Sequence, residues 1–418
     1  MEGALSVTAV PSRKGPLAGM KVIELAHIMA GPVCGLMLAD LGADVIKVEK
    51  PGGDDTRHFL PPDIAGISAA FLMMNRNKRG ICLDLKGPDG VAVLKRLLAD
   101  ADVVIENYRL GTMERFGLSY EALRKINPGL IYCEISGFGR TGPYAGRGGF
   151  DLIAQGMSGL MSITGEGPGR PPVKSGVPVS DITAGILGAL GVCAAYSHKL
   201  QTGEGQRVDT SLFEAAITQT YWQSAITFAT GRPPGPLGSA HPLNAPYQAF
   251  RTSDGWLNVG AANQRNWERM LGVIGAPELA KDRRFVTNRD RMAHLGELTS
   301  VLNAKFSGRS TRDWLADFES AGVPAGPVLD IAEMHGDPQT LAREMVTSTE
   351  HPVAGTVKTI GLPIKLSGTP GGVNRPAPRL GEHNREVLSE FGYDRETIDR
   401  LCRSGALVSE VESKERPI

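Results

Sequence analysis

The feature that most constrains the fold is an alternation of short apolar runs with helix-like segments near the N-terminus. Residues 20–25 (MKVIEL) predict a strand, residues 30–31 a turn, and Pro32 suits the first position of a helix. Gly42 is expected to end that helix, and residues 45–48 predict a second strand. This order is typical of the βαβ unit of a parallel sheet.

The same rhythm continues to residue 135. Residues 81–85, 103–105 and 130–135 predict further strands, and helices are expected to begin at Pro88 and after Ser119. An α/β fold with an open parallel sheet flanked by helices follows from this pattern. Residues 137–149 contain six glycines and are expected to form a loop.

A passage rich in glycine and proline, residues 165–178, leads to Asp181 and to the most apolar segment of the chain, residues 182–196. This segment predicts a buried core helix, because it is shorter than the ~20 residues that span a bilayer. Glycine inside a helix costs roughly 0.5–1 kcal/mol relative to alanine. We therefore expect the three glycines of this helix to mark close backbone packing; they are Gly185, Gly188 and Gly191.

The length of 418 residues, 41% of them hydrophobic, predicts two domains, since a single core stops growing well below this size. Prolines and glycines at residues 231–246 mark a boundary, and a hairpin follows with strands at residues 247–250 and 256–259. Helices are expected to about residue 335. Residues 351–378 are expected to be poor in strands and to precede a closing helix.

The predicted division is therefore a large domain at residues 1–225, a small α+β domain at residues 226–338, and a return segment at residues 339–418 that completes the large domain.

Charge and cysteine usage exclude several classes of protein. The 45 basic and 45 acidic residues cancel, so no global field draws the chain onto nucleic acid or a membrane. The five cysteines are odd in number and never form a CxxC pair, which argues against a disulfide framework or a zinc site. Residues 1–15 have no apolar stretch of the secretory type, so a cytoplasmic location is expected.

The sequence contains near matches to two familiar short motifs, but neither has the residues or the context that the motif requires. Residues 137–142 fit GxGxxG, but Pro143 and further glycines follow where a dinucleotide-binding motif needs a helix. Residues 156–159 approach a nucleophile elbow, yet Leu160 stands where glycine is required. No P-loop or HExxH motif is present, and no two histidines have metal-ligand spacing, so we expect no metal; His27 could border a ligand site.

Asp181 has two interpretations. Ser180 and Asp181 stand where the N-cap of the apolar helix belongs, and aspartate is a favoured cap. The same position would suit a nucleophile, because the positive end of the helix favours an ionised carboxylate and can face an anionic ligand. On local sequence alone the cap is the preferred interpretation.

Several segments together resemble the class III CoA-transferases, the formyl-CoA transferase or CaiB/BaiF-like family, in order and spacing. The resemblance extends from about residue 16 to residue 408, and no single motif carries it. The segments are residues 16–25, 30–32, 41–49, 75–79, 106–108, 149–151, 179–181, 202–206, 322–327 and 378–383.

This resemblance implies a Rossmann-like large domain built from both ends of the chain, a smaller inserted α+β domain, and an interlocked homodimer. Asp181 would be the nucleophile. No cofactor would be bound permanently, and coenzyme A or acyl-CoA would be a substrate together with a carboxylic acid. The contacts to coenzyme A would be Met29, Ala30, Lys50, Leu83, Asp84, Leu85, Lys86, Asn107, Tyr108, Arg109 and Arg115.

Two departures bear on the substrate and on a flap. Formyl-CoA transferases carry glutamine at the position of Met29, which argues against oxalate as the acceptor. The glycine-rich flap of the family would correspond to residues 235–238, with fewer glycines. Residues 241–250 and 259–264 look most like the succinyl-CoA:glutarate branch, which implies a short dicarboxylate such as glutarate as acceptor and succinyl-CoA as donor.

The implied reaction passes through an aspartyl anhydride and an aspartyl-CoA thioester. An aspartate of ordinary pKa, ~3.9, is ionised at neutral pH and needs no general base. Two alternatives stay open. A racemase of the α-methylacyl-CoA type would need a histidine where Phe150 stands, and phenylalanine cannot act as a base. A non-catalytic protein that binds coenzyme A would use Asp181 only as a helix cap.

Overall fold

The computed structural model describes residues 15–413. The expectation that residues 1–15 lack a secretory signal lies, apart from Gly15, outside the described residues. The strands are β1 (Lys21–Glu24), β2 (Asp44–Glu49), β3 (Asp63–Ile64), β4 (Ile67–Ser68), β5 (Arg79–Cys82), β6 (Val103–Glu106), β7 (Ile131–Ser136), β8 (Arg207–Ser211), β9 (Tyr247–Arg251), β10 (Trp256–Gly260), β11 (Ala325–Pro327), β12 (Val346–His351) and β13 (Gly355–Ile360).

Helices occupy most of the remaining chain. They are α1 (Ala30–Asp40), α2 (Ala69–Met74), α3 (Pro88–Ala99), α4 (Thr112–Arg115), α5 (Tyr120–Ile126), α6 (Asp151–Met157), α7 (Leu160–Ile163), α8 (Val179–Thr202), α9 (Leu212–Thr218), α10 (Tyr221–Thr230), α11 (Gln264–Val273), α12 (Asn288–Ala293), α13 (Leu295–Phe306), α14 (Thr311–Ala321), α15 (Ile331–Gly336), α16 (Pro338–Ala342), α17 (Asn384–Glu390), α18 (Arg395–Arg403) and α19 (Glu410–Ser413), with 3₁₀ turns at Asp55–His58 and Pro277–Lys281.

Six strands form one parallel sheet in the order β5-β2-β1-β6-β7-β8. In its centre Ile23 lies opposite Ile46 of β2 and opposite Val104 of β6, and all three are fully buried. The α/β class and the parallel sheet predicted from the sequence are thus confirmed. On one side of β1 the chain adds β2 and β5, and on the other side it adds β6, β7 and β8. Open sheets of this kind bind ligands at the switch point between the two sides, here between β1 and β6.

Helix α8 packs its glycine side against the sheet and α1. A Cβ on Gly185 would lie 2.6 Å from the Ala30 carbonyl oxygen, and one on Gly188 would lie 2.9 Å from Ile135 Cδ1. A Cβ on Gly191 would lie 2.6 Å from a methyl carbon of Val208. The prediction that these glycines permit close packing is confirmed.

The predicted extent of this helix was wrong. Instead of 15 apolar residues it runs for 24 residues, from Val179 to Thr202, because its polar C-terminal turns are helix-compatible and only Gly203, with a φ of 80°, ends it. By length and composition alone it could cross a membrane. It is buried on one face only, since Leu190 on the other face is 64% exposed.

Residues 351–378 contain more regular structure than expected. Strands β12 and β13 pair antiparallel as a hairpin, with His351 opposite Gly355. The expectation of a strand-poor stretch was therefore wrong at its beginning. The segment is rich in β-branched threonine and valine, and Val357 and Thr359 bury one face of the hairpin, so packing stabilises strands that the prolines farther on had obscured.

The chain divides into two compact units. The first contains the described residues up to Ser158, Gly176–Gln219 and the described part of Pro338–Ile418; the second contains Gly159–Ser175 and Thr220–Asp337. In the second unit β9 and β10 form the predicted hairpin, and β11 completes an antiparallel sheet. Its core includes Trp267, Phe250 and Phe306. The predicted domain boundaries at residues 225 and 338 stay a prediction.

Candidate active site

A cavity of about 640 Å³ opens at the carboxyl-terminal ends of β1, β6 and β7, next to the switch point of the sheet. Its walls come from the turns after these strands and from the first turn of α8. The sequence separates these segments by up to about 150 residues, and the parallel sheet brings them together. The expected site residues that line this cavity are Asp181, Met29, Ala30, Asn107, Tyr108, Arg109 and Arg115, and His27 lines it as well.

Asp181 is the third residue of α8, so the prediction that it caps the helix was wrong. Pro178 occupies the N-cap position without a side-chain hydrogen bond. The carboxylate that serves the helix start is Asp151, whose Oδ1 accepts the Ser180 N–H at 2.9 Å, while Gln155 donates to Oδ2 at 2.7 Å. Within residues 15–413 the Asp181 carboxylate has no hydrogen-bond partner.

The electrostatic environment of Asp181 differs from that of an ordinary aspartate. Burial and, second in importance, the negative charge of Asp151 raise the pKa of Asp181 to about 6. The ordinary pKa expected from the sequence is therefore corrected. The carboxylate is still mostly ionised at pH 7, but it is a stronger base than an exposed aspartate. An unpaired, partly desolvated carboxylate in a cavity is suited to nucleophilic attack.

The turn between β1 and α1 forms the wall that carries Met29 and Ala30. Asn107, which follows β6, brackets this turn: its Oδ1 accepts the His27 N–H at 3.0 Å and its Nδ2 donates to the His27 carbonyl at 2.7 Å. Met29 is the N-cap of α1 and makes no side-chain cap bond. In the described part of the chain the N–H groups of Ala30 and Gly31 have no acceptor, as expected at an uncapped helix start.

Four arginines line the cavity, and one of them is held in an ion-pair network. Arg140 contacts Glu106 at 2.5 Å and Glu134 at 3.0 Å. Arg109, Arg115 and Arg147 have no ion-pair partner among the described residues. The Arg147 guanidinium lies 4.1 Å from the centre of the Tyr144 ring. Positive charge without an internal partner is what an anionic ligand requires.

A second cavity, of about 720 Å³, shares Arg115 with the first. It is lined by Leu85, Lys86 and Lys95, among others. Leu85 and Lys86 belong to the segment expected to contact coenzyme A, whereas Lys95 was not anticipated. Lys95 lies on α3, two helical turns after Pro88, and this spacing could have indicated that it shares a face with the helix start.

The remaining expected contacts lie elsewhere. Lys50 is exposed and pairs with Asp55 at 2.6 Å; Asp55 itself lines the first cavity. Leu83 is fully buried and forms a bridge with Leu407, so its side chain faces the core. Asp84 lies outside both cavities, and its Oδ1 accepts the Lys86 N–H at 3.0 Å. These roles stay predictions.

In the second unit, Gly238 of the expected flap lines a separate cavity of about 530 Å³, together with Gly165, Glu166 and Arg170. The Gly238 N–H donates to the Gly165 carbonyl at 2.8 Å. Whether this segment acts as a flap stays a prediction.

Sequence reasoning missed Arg140 and Arg147 because it treated residues 137–149 only as an irregular loop. As predicted, no helix directly follows Gly142 in the structure, and the next helix is α6. The loop nevertheless contributes Gly137, Gly146 and both arginines to the cavity. Two arginines in a glycine-rich segment after a sheet strand were the available signal.

Comparison with known proteins supplies the family. The sequence model of CoA-transferase family III matches residues 17–384. A succinate–glutarate CoA-transferase from Agrobacterium fabrum is 45% identical over 403 residues, which cover 95% of this chain and 100% of the relative. An acetyl-CoA:oxalate CoA-transferase from Acetobacter aceti is 39% identical over 389 residues, covering 93% of this chain and 98% of the relative.

Among solved structures, a CaiB/BaiF family protein from Brucella suis superimposes with a TM-score of 0.82 and 42% identity, covering 91% of this chain and 100% of that chain. The fold, the family model and the full-length relatives agree with the resemblance read from the sequence, and the chain therefore belongs to CoA-transferase family III, the class III CoA-transferases, and is a transferase enzyme.

Proposed function

We propose that this enzyme moves coenzyme A from an acyl-CoA to a free carboxylic acid with Asp181 as the covalent nucleophile. The observation that carries the proposal is the Asp181 carboxylate itself, which is unpaired within the described residues, partly buried and placed at the wall of the 640 Å³ cavity. Its raised pKa increases its basicity while leaving it ionised at neutral pH.

The proposed steps balance without any other reactant. The Asp181 oxygen attacks the thioester carbonyl, the C–S bond breaks, and a mixed anhydride and the CoA thiolate form. The thiolate then attacks the Asp181 acyl carbon, which releases the donor acid as its carboxylate and leaves an aspartyl-CoA thioester. The acceptor carboxylate attacks this thioester, giving a second anhydride and the thiolate. Attack of the thiolate on the acceptor carbonyl yields the new acyl-CoA and restores Asp181.

Oxyanions form at each attack and need hydrogen-bond donors. The N–H groups of Ala30 and Gly31 at the start of α1 are the proposed donors: both lack an acceptor in the described chain, they lie at the positive end of a helix, and Ala30 lines the cavity with Asp181. Gly185 places the Ala30 carbonyl against α8, one turn after Asp181. The nucleophile and these donors therefore lie on two helices in direct backbone contact.

The charged end of coenzyme A is proposed to lie along the second cavity. Arg115 belongs to both cavities, and Lys86 and Lys95 add positive charge beyond it. An extended ligand with phosphates at one end and a thioester at the other matches this arrangement, because Lys86 and Lys95 line the second cavity and not the cavity that holds Asp181. Lys50 would contribute less, since Asp55 already pairs with it.

We further propose a short dicarboxylate as acceptor, with succinyl-CoA as donor. The Agrobacterium relative is described as acting on succinate and glutarate, whereas the Acetobacter relative is described as acting on oxalate, so family membership alone leaves the acid undecided. A distal carboxylate needs a cationic partner. Arg147 fits this role: it lines the cavity of Asp181, lacks an ion pair in the described chain, and stacks on Tyr144.

The racemase alternative would require a base beside the substrate, and Phe150 provides none at the position concerned. If Asp181 had only a structural role, it would have to cap α8, but Asp151 already accepts the hydrogen bond at the start of this helix. Both observations favour transfer over these alternatives.

The homodimer, the domain division and a cytoplasmic location are proposals as well. The outer face of α8 exposes Ile186 at 48% and Leu190 at 64%, and a second copy of the chain would cover this apolar surface. Size measurement in solution tests this assembly.

The test of the function is an incubation of the enzyme with succinyl-CoA and a panel of acids, followed by mass spectrometry, and a parallel incubation with one enantiomer of a 2-methylacyl-CoA, followed by chiral analysis. New acyl-CoA supports transfer; an epimerised 2-methylacyl-CoA would indicate a racemase, and no change would indicate a binding protein. The Asp181→Asn variant is expected to form neither product nor a covalent adduct. The wild type is expected to accumulate an enzyme-bound CoA adduct with those acids of the panel that react slowly as acceptors.

A further inference from the structure

The turn between β1 and α1 contains a strained residue. Ile28 has a φ of 67°, in the left-handed region that β-branched residues avoid because their side chain crowds the backbone. It directly precedes Met29 and Ala30 and lines the cavity with them. Such a conformation persists only where surrounding contacts hold it.

The group that holds it is the carboxylate of Asp54. Both Asp54 oxygens accept the Ile28 N–H, at 3.2 and 3.3 Å. The carboxylate is fixed in turn by Lys47, at 2.8 Å, and by the Thr56 hydroxyl, at 2.8 Å. Asp54 is only 4% exposed and is not part of the wall of the 640 Å³ cavity. Its direct link to the wall that carries Met29 is the hydrogen bond from the Ile28 N–H.

A shift of this turn would reach the nucleophile. Gly31 has no room for a side chain against Ala26, and a Cβ on Gly185 would lie 2.6 Å from the Ala30 carbonyl oxygen. The first residues of α1 thus pack between Ala26, two residues after β1, and α8. Gly185 lies one helical turn after Asp181 on the same face of α8. If Ile28 relaxed to a negative φ, Met29 and Ala30 would move relative to Asp181.

We propose that Asp54 is a positioning residue, which holds Ile28 in its left-handed conformation and so keeps the start of α1 aligned with Asp181. This inference rests on the proposed function of Asp181. Alignment matters most in the transition state, because a donor must meet the oxyanion rather than the ground-state carbonyl. The loss of Asp54 should therefore reduce kcat rather than weaken binding of the acyl-CoA.

Asp54 also pairs with the buried Lys47, so a simple loss of activity would not separate positioning from stability. The strained conformation of Ile28 allows the positioning role of Asp54 to be distinguished from its effect on stability. Glycine adopts a positive φ without cost, so Ile28→Gly removes the need for a group that enforces it. Asn107 still brackets His27 on both sides in that background.

The experiment is a cycle of wild type, Asp54→Asn, Ile28→Gly and the double variant, each measured for kcat, for KM of succinyl-CoA and for thermal unfolding. We expect Asp54→Asn to lower kcat by about 30-fold in the Ile28 background with KM changed less than threefold. In the Ile28→Gly background the same substitution should lower kcat by no more than about threefold.

Losses that multiply in the double variant, or an Asp54→Asn enzyme with the kcat of the wild type, would overturn the positioning role. If Asp54→Asn does not fold, Thr56→Val replaces it: it removes one hydrogen bond to the same carboxylate and leaves Lys47 paired, and the same dependence on Ile28→Gly is expected. A wild-type enzyme that forms no CoA adduct at Asp181 would instead refute the proposed function, which keeps the two failures distinct.

Discussion

Replacing Asp181 by asparagine should abolish transfer and at the same time stabilise the folded enzyme at neutral pH. Asp181 makes no hydrogen bond within the described residues, so the amide loses no partner. What it removes is the cost of keeping a charge in a partly buried site beside Asp151. Burial and the Asp151 charge raise the pKa of Asp181 from its ordinary value of 3.8 to about 6. Active sites commonly carry such a cost in stability.

The magnitude follows from linkage. A difference of about two pH units between the folded and unfolded pKa corresponds to at most about 3 kcal/mol. Asp181 is still partly exposed, and solvent screening reduces the expected gain to roughly 1–2 kcal/mol. A gain of this size should raise the Tm by a few degrees.

The stability gained by Asp181→Asn should increase as the pH rises. The folded state binds the Asp181 proton more tightly than the unfolded state, so the penalty is absent below pH 3.8, grows as the pH rises to about 6, and is complete at pH 7. The stability difference between Asp181→Asn and wild type should follow this course. Thermal and urea unfolding between pH 4 and 8 measure it.

Asp89 provides a matched control. It lies in the first turn of α3, as Asp181 lies in that of α8, but it is exposed. Asp89→Asn should slightly destabilise the protein at pH 7, since it removes a favourable charge from a helix start. An Asp181→Asn enzyme no more stable than wild type at pH 7, or a gain equally large at pH 4, would refute the reasoning.

The kcat/KM of the wild type should rise with pH to a plateau with an apparent pKa of about 6, and Asp151→Asn, which removes a charge that raises that pKa, should move the midpoint to lower pH in the same rate profile. Arg115→Ala should raise KM for succinyl-CoA at least tenfold with a smaller effect on kcat in steady-state assays, because it lies between the two cavities; an unchanged KM would contradict a phosphate contact. Arg147→Ala should lower kcat/KM for C4 to C6 dicarboxylates by about 10- to 100-fold relative to monocarboxylates of the same length, and an equal loss for both would remove it as the carboxylate partner. Gly188→Ala should destabilise the fold by about 1–3 kcal/mol through overpacking, whereas Gly272→Ala, in a helix with open space around it, should stabilise by roughly 0.5–1 kcal/mol when both are compared by urea unfolding.

Local patterns determined most of the first unit. Apolar runs punctuated by glycine and proline located five of the six strands of the parallel sheet within a few residues, all but β8, and Ser119 was placed correctly before α5, which it caps. The three glycines of α8 predicted close packing against neighbouring elements, and the structure shows it. These features depend on backbone preferences and on periodicity over fewer than about 20 residues, which is the range that a sequence records directly.

The hairpin of β12 and β13 was not predicted because its conformation depends on contacts that are distant in the sequence. Its strands are polar on one face, and the prolines that follow them argue locally against a sheet. Burial of Val357 and Thr359 decided their conformation, and burial depends on what packs against the strand rather than on the strand alone.

The α/β class, the family resemblance and the importance of Asp181 could all be predicted from the order of the residues. The role of Asp151, thirty residues away, could not: it accepts the hydrogen bond at the start of α8 and raises the pKa of Asp181 only because the fold places it there. The fold also decides that Glu106 and Glu134 hold Arg140 while Arg147 stays unpaired in the described chain. Charge, burial and strain are properties of neighbours in space, and in a parallel sheet those neighbours come from strands that are far apart in the sequence.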